Sequence, residues 1–262
     1  MTWSRRVGIA LVAIGAVLGL WYLGAWLVEL SNDPIADKKL PYPHVVAELM
    51  LEERSALTEA AWTTLSQALL GFAIGATVAI LLSVVMVQAG WLEAALMPFV
   101  LAAQMIPMIA LVPIAQTVFQ SDETTRLFIA AFITYFSVTI ATVRGLKAAP
   151  PVAYDLLRSY RASRTETLRL LQLPAAVPLL FSGLRVAAPL SLVGSVLVDM
   201  TGAQSGLGFL LLAALTFGSR GGTILWATMI LLLALGLLMS QGVILAERLL
   251  TPWQPRFREE AS

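Results

Sequence analysis

Six stretches of this chain are almost without charge, and each is about as long as a helix needs to cross a lipid bilayer. Residues 7–28, 60–92, 94–121, 127–143, 170–198 and 221–246 contain no Asp, Glu, Lys or Arg except Arg185. A helix rises about 1.5 Å per residue, so about 20 apolar residues cover the roughly 30 Å of hydrocarbon. Inside that layer backbone amides find no water and must pair within their own segment, which helices do. The expected fold is therefore an all-α integral membrane protein with six transmembrane helices. Composition agrees: 58% of the 262 residues are apolar and 13% are charged, about half the charged share of a soluble domain.

Lys and Arg are retained on the cytoplasmic side of short loops, which sets orientation. With the N-terminus inside, Arg5, Arg6, Arg144, Lys147, Arg158, Arg161, Arg164, Arg169, Arg248, Arg256 and Arg258 are cytoplasmic, while Lys38, Lys39, Arg54, Arg126 and Arg220 face out. This predicts both termini inside. Arg5 and Arg6 before an apolar run also fit a signal peptide, but the run is longer than a typical signal core and no A-x-A site follows; retention as a first helix is expected. The organisation is then a first helix with an external connector over 1–59, a helical core over 60–250 that includes the cytoplasmic loop 144–173, and a cytoplasmic tail over 251–262. The connector carries a turn-rich start, Ser31-Asn32-Asp33-Pro34, and reads either as solvated chain or as an interfacial helix from His44 to Leu57.

Most chemistry is absent from the sequence. The chain has no cysteine and one histidine, His44, so thiolate and His-rich metal sites are not expected. No lysine follows a glycine in a phosphate-binding loop, so the chain is not expected to hydrolyse ATP. Neither H-E-x-x-H nor G-x-S-x-G occurs. Ion-coupled carriers keep ionisable groups within the bilayer, and here only Arg185 and Asp199 qualify, both near the ends of the fifth run. Net charge is +1, which gives no bulk attraction for nucleic acid. Energy for uphill transport is then expected from another subunit.

The longest cytoplasmic segment, 144–173, is where such a subunit would dock. It reads as two short helices, Val152–Tyr160 and Arg164–Gln172, the second opened by a capping box, Ser163-x-x-Glu166. Leu156, Leu157 and Tyr160 give the first helix an apolar side that asks for a partner groove or the membrane surface.

The run Asp155-Leu156-Leu157-Arg158-Ser159-Tyr160-Arg161-Ala162-Ser163, with Leu173-Pro174 after it, resembles the E-A-A-x-x-x-G…L-P loop of permease subunits of type I ATP-binding-cassette importers. Asp155 stands for Glu, Leu156 and Leu157 for the two Ala, Arg161 for Gly and Pro174 for Pro. Arg161 departs from that pattern, and the turn between the helices is expected to differ, since a left-handed residue other than glycine costs about 1 kcal/mol or more. Residues 104–113, 181–188 and 202–208 are similar to permeases for nitrate, sulfonates, taurine, thiamine precursors and riboflavin.

The resemblance implies the rest of the machine. It makes 60–250 the importer permease core. It also implies a pore formed with a second permease copy, as a homodimer or mixed pair, two ATP-binding subunits that use the ATP, and an external solute-binding protein, all at the inner membrane and without a cofactor on this chain. Asp155, Leu156, Leu157, Tyr160, Arg161, Ala162, Ser163, Leu173 and Pro174 are the expected coupling loop. Gln104, Pro107, Arg185 and Asp199 are the candidate translocation path, with helix packing, snorkelling and capping as alternatives for them. The sparse positive charge favours a vitamin or precursor such as riboflavin or a thiamine-precursor pyrimidine; a taurine, alkanesulfonate or nitrate importer is the alternative. An ATP-independent carrier and a membrane scaffold are rivals from other classes.

Overall fold

The computed structural model describes residues 3–31, 39–216 and 220–251, apart from the side chains of residues 3–7 and 10. The expected positions of Arg5, Arg6, Lys38, Arg256 and Arg258, the turn at 32–34 and the tail from 252 lie outside what is described. The described residues are mostly helical and contain no strand. In chain order the helices are α1 (Trp3–Leu30), α2 (Pro43–Glu52), α3 (Arg54–Gln88), α4 (Gly90–Ala103), α5 (Met108–Phe119), α6 (Asp122–Leu146), α7 (Pro151–Ser159), α8 (Arg164–Thr167), α9 (Leu173–Met200), α10 (Leu207–Ala214) and α11 (Gly221–Leu250).

Among the described residues, five helices are long and apolar enough to cross a membrane, and the bent pair α4 and α5 makes a sixth where it counts as one broken span. That break corrects the reading of 94–121 as one helix. α4 and α5 meet at 99°. The cause is Pro107, which has no amide to donate and steers Ile106 away from helical geometry. Pro107 itself is extended, with φ −61° and ψ 114°, and the last amides before it, Met105 N and Ile106 N, close tight turns on Ala102 O and Ala103 O.

Contacts group the chain into two compact units, Met1–Trp62 with Gln204–Leu233, and Thr63–Ala203 with Ala234–Ser262. In the first unit the described part of the connector carries the expected short helix, but it breaks at Glu53 rather than running on to Leu57. It is α2, which ends at Glu52 and buries Val46 and Leu49 against Ala227, Trp21 and Trp226. Leu57 already belongs to α3. Two indole donors hold the approach to α2 in place, Trp21 Nε1 on Pro41 O at 2.9 Å and Trp226 Nε1 on Lys39 O at 3.1 Å. His44 is exposed and its Nδ1 lies 3.2 Å from the Tyr22 hydroxyl.

In the second unit α6 is the central helix. It begins on Ser121, whose side chain accepts from the Thr124 amide, and carries Asp122 and Glu123 in its first turn and Arg144 in its last, matching the helix dipole at both ends. It packs extensively on α9. Small residues permit this closeness: a Cβ on Gly183 would stand 2.5 Å from Ala141 Cβ, and one on Gly75 of α3 would meet Ala131 Cα and Thr134 Cβ at 2.9 Å. Without a hydrophobic drive between helices in lipid, such close backbone approach supplies the packing energy. Val112, Ala115, Ile129, Ile133 and Val198 form one core cluster, and Ala79, Val138 and Ala187 another.

Candidate functional site

The segment between α6 and α9 stands at one end of the second unit. Lys147 Nζ reaches Glu93 Oε1 at 2.6 Å there, and Gln88 Nε2 donates to Gln172 Oε1 at 2.9 Å. Pro151 opens α7 at a position where a missing amide costs nothing. Val152, Leu156 and Tyr160, one turn apart, present an apolar stripe that is 77%, 56% and 78% exposed. Asp155 is exposed beside that stripe, while Leu157 and Ala162 are half-buried.

α7 ends in a Schellman motif. Ala162 N donates to Leu157 O at 3.0 Å and Arg161 N to Arg158 O at 2.9 Å, satisfying carbonyls that the helix end leaves open. The residue that turns the chain is Arg161, left-handed at φ 53°. The departure from glycine therefore does not change the turn. It leaves the turn in place under strain. Arg161→Gly is expected to raise the stability of the purified subunit by about 0.5 kcal/mol, the relief of a left-handed side chain less the added freedom of the unfolded chain. Urea unfolding of the two forms checks this.

The next residues give the predicted capping box in both directions, Glu166 N to Ser163 Oγ at 3.2 Å and Ser163 N to Glu166 Oε2 at 2.6 Å. The second short helix is not a separate element, however. α8 runs through a π-helical turn, Leu168–Gln172, directly into α9, so that 164–200 is one continuous helical stretch. Pro174, at the start of α9, lacks the amide that an α-turn would use, and the wider turn before it absorbs the mismatch. Leu173 and Pro174 are exposed on this first part of α9.

At the opposite end of the same unit, Asp199 is 1% exposed. Its Oδ1 accepts from Arg126 Nε at 2.5 Å and its Oδ2 from Thr64 Oγ1 at 2.7 Å, which ties α9 to α6 and α3. Asp199 thus does not act as a simple helix cap. Arg126, read from the sequence as an outward-facing loop cation, is 4% exposed within α6. Gln67 and Glu123 join α3 to α6 nearby through a 3.1 Å hydrogen bond.

Arg185 of α9 is ion-paired with Glu247 of α11, which is 2% exposed. Sequence reasoning missed Glu247 because it follows the sixth apolar run by one residue. Gln104 and Pro107 are both exposed at the α4/α5 break, with Met105 77% and Ile109 67% exposed around them. The structure therefore gathers the coupling-loop residues at one end of the unit and sets Asp199 at the other. It does not bring Gln104, Pro107, Arg185 and Asp199 into one cluster.

Residues 71–258 match the family of binding-protein-dependent transport system inner membrane components. The chain is 30% identical over 245 residues to the riboflavin transport system permease protein RibX of Chloroflexus aurantiacus, covering 93% of this chain and 89% of that one. It is 30% identical over 194 residues to the formylaminopyrimidine transport permease protein ThiX of Halalkalibacterium halodurans, with 74% and 76% covered. The putative aliphatic sulfonates transport permease protein SsuC of Escherichia coli is 27% identical over 257 residues, with 97% and 95% covered. Among solved structures, a chain of the inward-facing MetNI methionine ABC transporter superposes with a TM-score of 0.60 at 18% identity, covering 75% of this chain and 97% of that chain.

Proposed function

Because the chain belongs to the family of binding-protein-dependent transport system inner membrane components, we propose that the solute it passes is an uncharged or weakly charged heteroaromatic vitamin or precursor, such as riboflavin or a thiamine-precursor pyrimidine. The chain is a multi-pass inner-membrane permease subunit of an ATP-binding-cassette importer. It is not an enzyme; ATP hydrolysis belongs to a partner subunit, and a solute-binding protein is the other partner type. The observation that carries the solute reading is that Arg126 and Arg185 are each matched by a carboxylate, Asp199 and Glu247. Neither offers an unmatched cation to a sulfonate or nitrate, whose passage favours positive potential along the path. The riboflavin and formylaminopyrimidine permeases at 30% identity, beside the sulfonate permease at 27%, agree with this.

In this reading both termini and the 144–173 segment face the cytoplasm, and two ATP-binding subunits each receive an α7. A second copy of the chain completes the pore against the exposed α4/α5 break, with Gln104 and Pro107 toward the path. The test is uptake of radiolabelled riboflavin and of a formylaminopyrimidine into proteoliposomes holding this chain with its cognate ATPase and binding protein. ATP-dependent accumulation of one of these rings, with none of taurine or nitrate, is expected. Accumulation of taurine or nitrate instead overturns the solute; uptake without the ATPase overturns the importer mechanism.

A further inference from the structure

A cavity of about 350 Å³ lies beneath α7, with Gln88, Tyr154, Arg158, Arg164, Thr167 and Gln172 in its wall. That volume is at the lower end of the ~300–1,000 Å³ of small-ligand sites. Its floor is set by a polar relay, Gln88 Nε2 to Gln172 Oε1 at 2.9 Å and Gln172 Nε2 to Tyr154 Oη at 3.4 Å. The Thr167 hydroxyl is already used on Ser163 O at 3.0 Å. Two guanidinium groups remain, and no carboxylate lines the cavity with them. The acids nearest in sequence do not neutralise them: Glu166 is held by the Ser163 capping box, and no ion pair joins Asp155 to either arginine among the described residues.

We propose that this cavity binds a phosphate-bearing anion through Arg158 and Arg164. Planar, always-charged guanidinium groups match phosphate oxygens with paired donors. The cavity lies beside Gln88, the last residue of α3, and Arg164, the first of the α8–α9 stretch, two helical stretches long and apolar enough to cross a membrane; an anionic phospholipid headgroup and a free phosphate share the chemistry it selects. The occupant would join three elements. Arg158 lies on α7, Arg164 and Thr167 on α8, and Gln88 at the end of α3. Occupancy would then stiffen α7 against the helices behind it.

The test uses the purified full chain in neutral detergent, with a fluorescent short-chain phosphatidylglycerol followed by anisotropy and radiolabelled inorganic phosphate followed by equilibrium dialysis. Saturable binding is expected, with unlabelled phosphatidylcholine a poor competitor. Arg158→Gln/Arg164→Gln should weaken it by about tenfold for each charge-assisted hydrogen bond removed. Arg158→Lys/Arg164→Lys, which keeps the charge, should recover part of it, and Arg169→Gln, outside the cavity, should leave it unchanged. Competition by millimolar inorganic phosphate assigns a soluble phosphate; competition by anionic lipid alone assigns the headgroup. Absence of saturable binding by both, or equal binding by the Gln pair, overturns the proposal. Solute and ATP play no part in the assay, so its failure is separate from failure of the uptake reading.

Discussion

Asp199→Ala is expected to destabilise the folded subunit by about 3–5 kcal/mol, the cost of removing one partner from a buried ion pair. The carboxylate takes both the Arg126 Nε donor and the Thr64 hydroxyl, at 2.5 and 2.7 Å, in a site where all three residues are under 5% exposed. Alanine leaves that guanidinium without this counter-charge in a place water does not reach, and it unties three helices at one end of the unit. The variant should show a lower midpoint of thermal unfolding in mild detergent and a smaller monodisperse fraction after extraction. Asp199→Asn keeps the shape and one acceptor but not the charge, and should fall between. Replacing both partners, Asp199→Leu with Arg126→Leu, removes the buried guanidinium together with its counter-charge and should recover most of the loss, since apolar substitutes for a buried pair are often neutral. An Asp199→Ala protein that unfolds like the parent would show the pair to be dispensable.

The sequence made the spans legible because lipid imposes one strong rule, charge-free length, and the six runs obey it. The same rule blurred their edges. Arg126 adjoins the run 127–143 and Glu247 adjoins 221–246. A charge at an edge reads as loop, yet both are buried and paired inside helices. Edge charges one residue outside a run, of opposite sign to a charge on a neighbouring span, were the available signal. Local rules did better than count rules in the loop. The Ser163 capping box depends on four residues and formed as spelled. Arg161 misled because intrinsic preference argues for glycine there, while the hydrogen bonds of the Schellman motif and the capping box that follows hold the turn whichever residue occupies it. Pro107 is visible in the sequence as a proline inside an apolar run, but such a run contains no information on whether the bend it causes is slight or close to a right angle. The continuity of α8 with α9 was hidden for a related reason: Pro174 suggests a boundary, and only the wider turn at Leu168–Gln172 removes it.

Leu156→Asp is expected to cut ATP-driven solute uptake by about thirtyfold or more while leaving the subunit folded. Buried apolar anchors at protein interfaces are commonly worth about 2 kcal/mol or more when truncated, and a carboxylate in an apolar groove adds its own desolvation cost. The position suits the test because Leu156 is 56% exposed on the outer side of α7, so the fold should change by no more than about 0.5 kcal/mol. Leu157 is a poorer choice. It is half-buried, and its carbonyl anchors the Schellman motif, so a loss of function there would mix docking with folding. Val152→Asp, on the same stripe one turn earlier, should act like Leu156→Asp if the stripe docks as a unit. Two readouts separate the causes. ATPase activity that persists in the complex while uptake disappears means the motor is bound but no longer drives the pore; loss of the ATPase from the purified complex means the stripe is the main hold. Normal uptake by Leu156→Asp would remove α7 from the coupling path and leave its exposed stripe to the membrane surface.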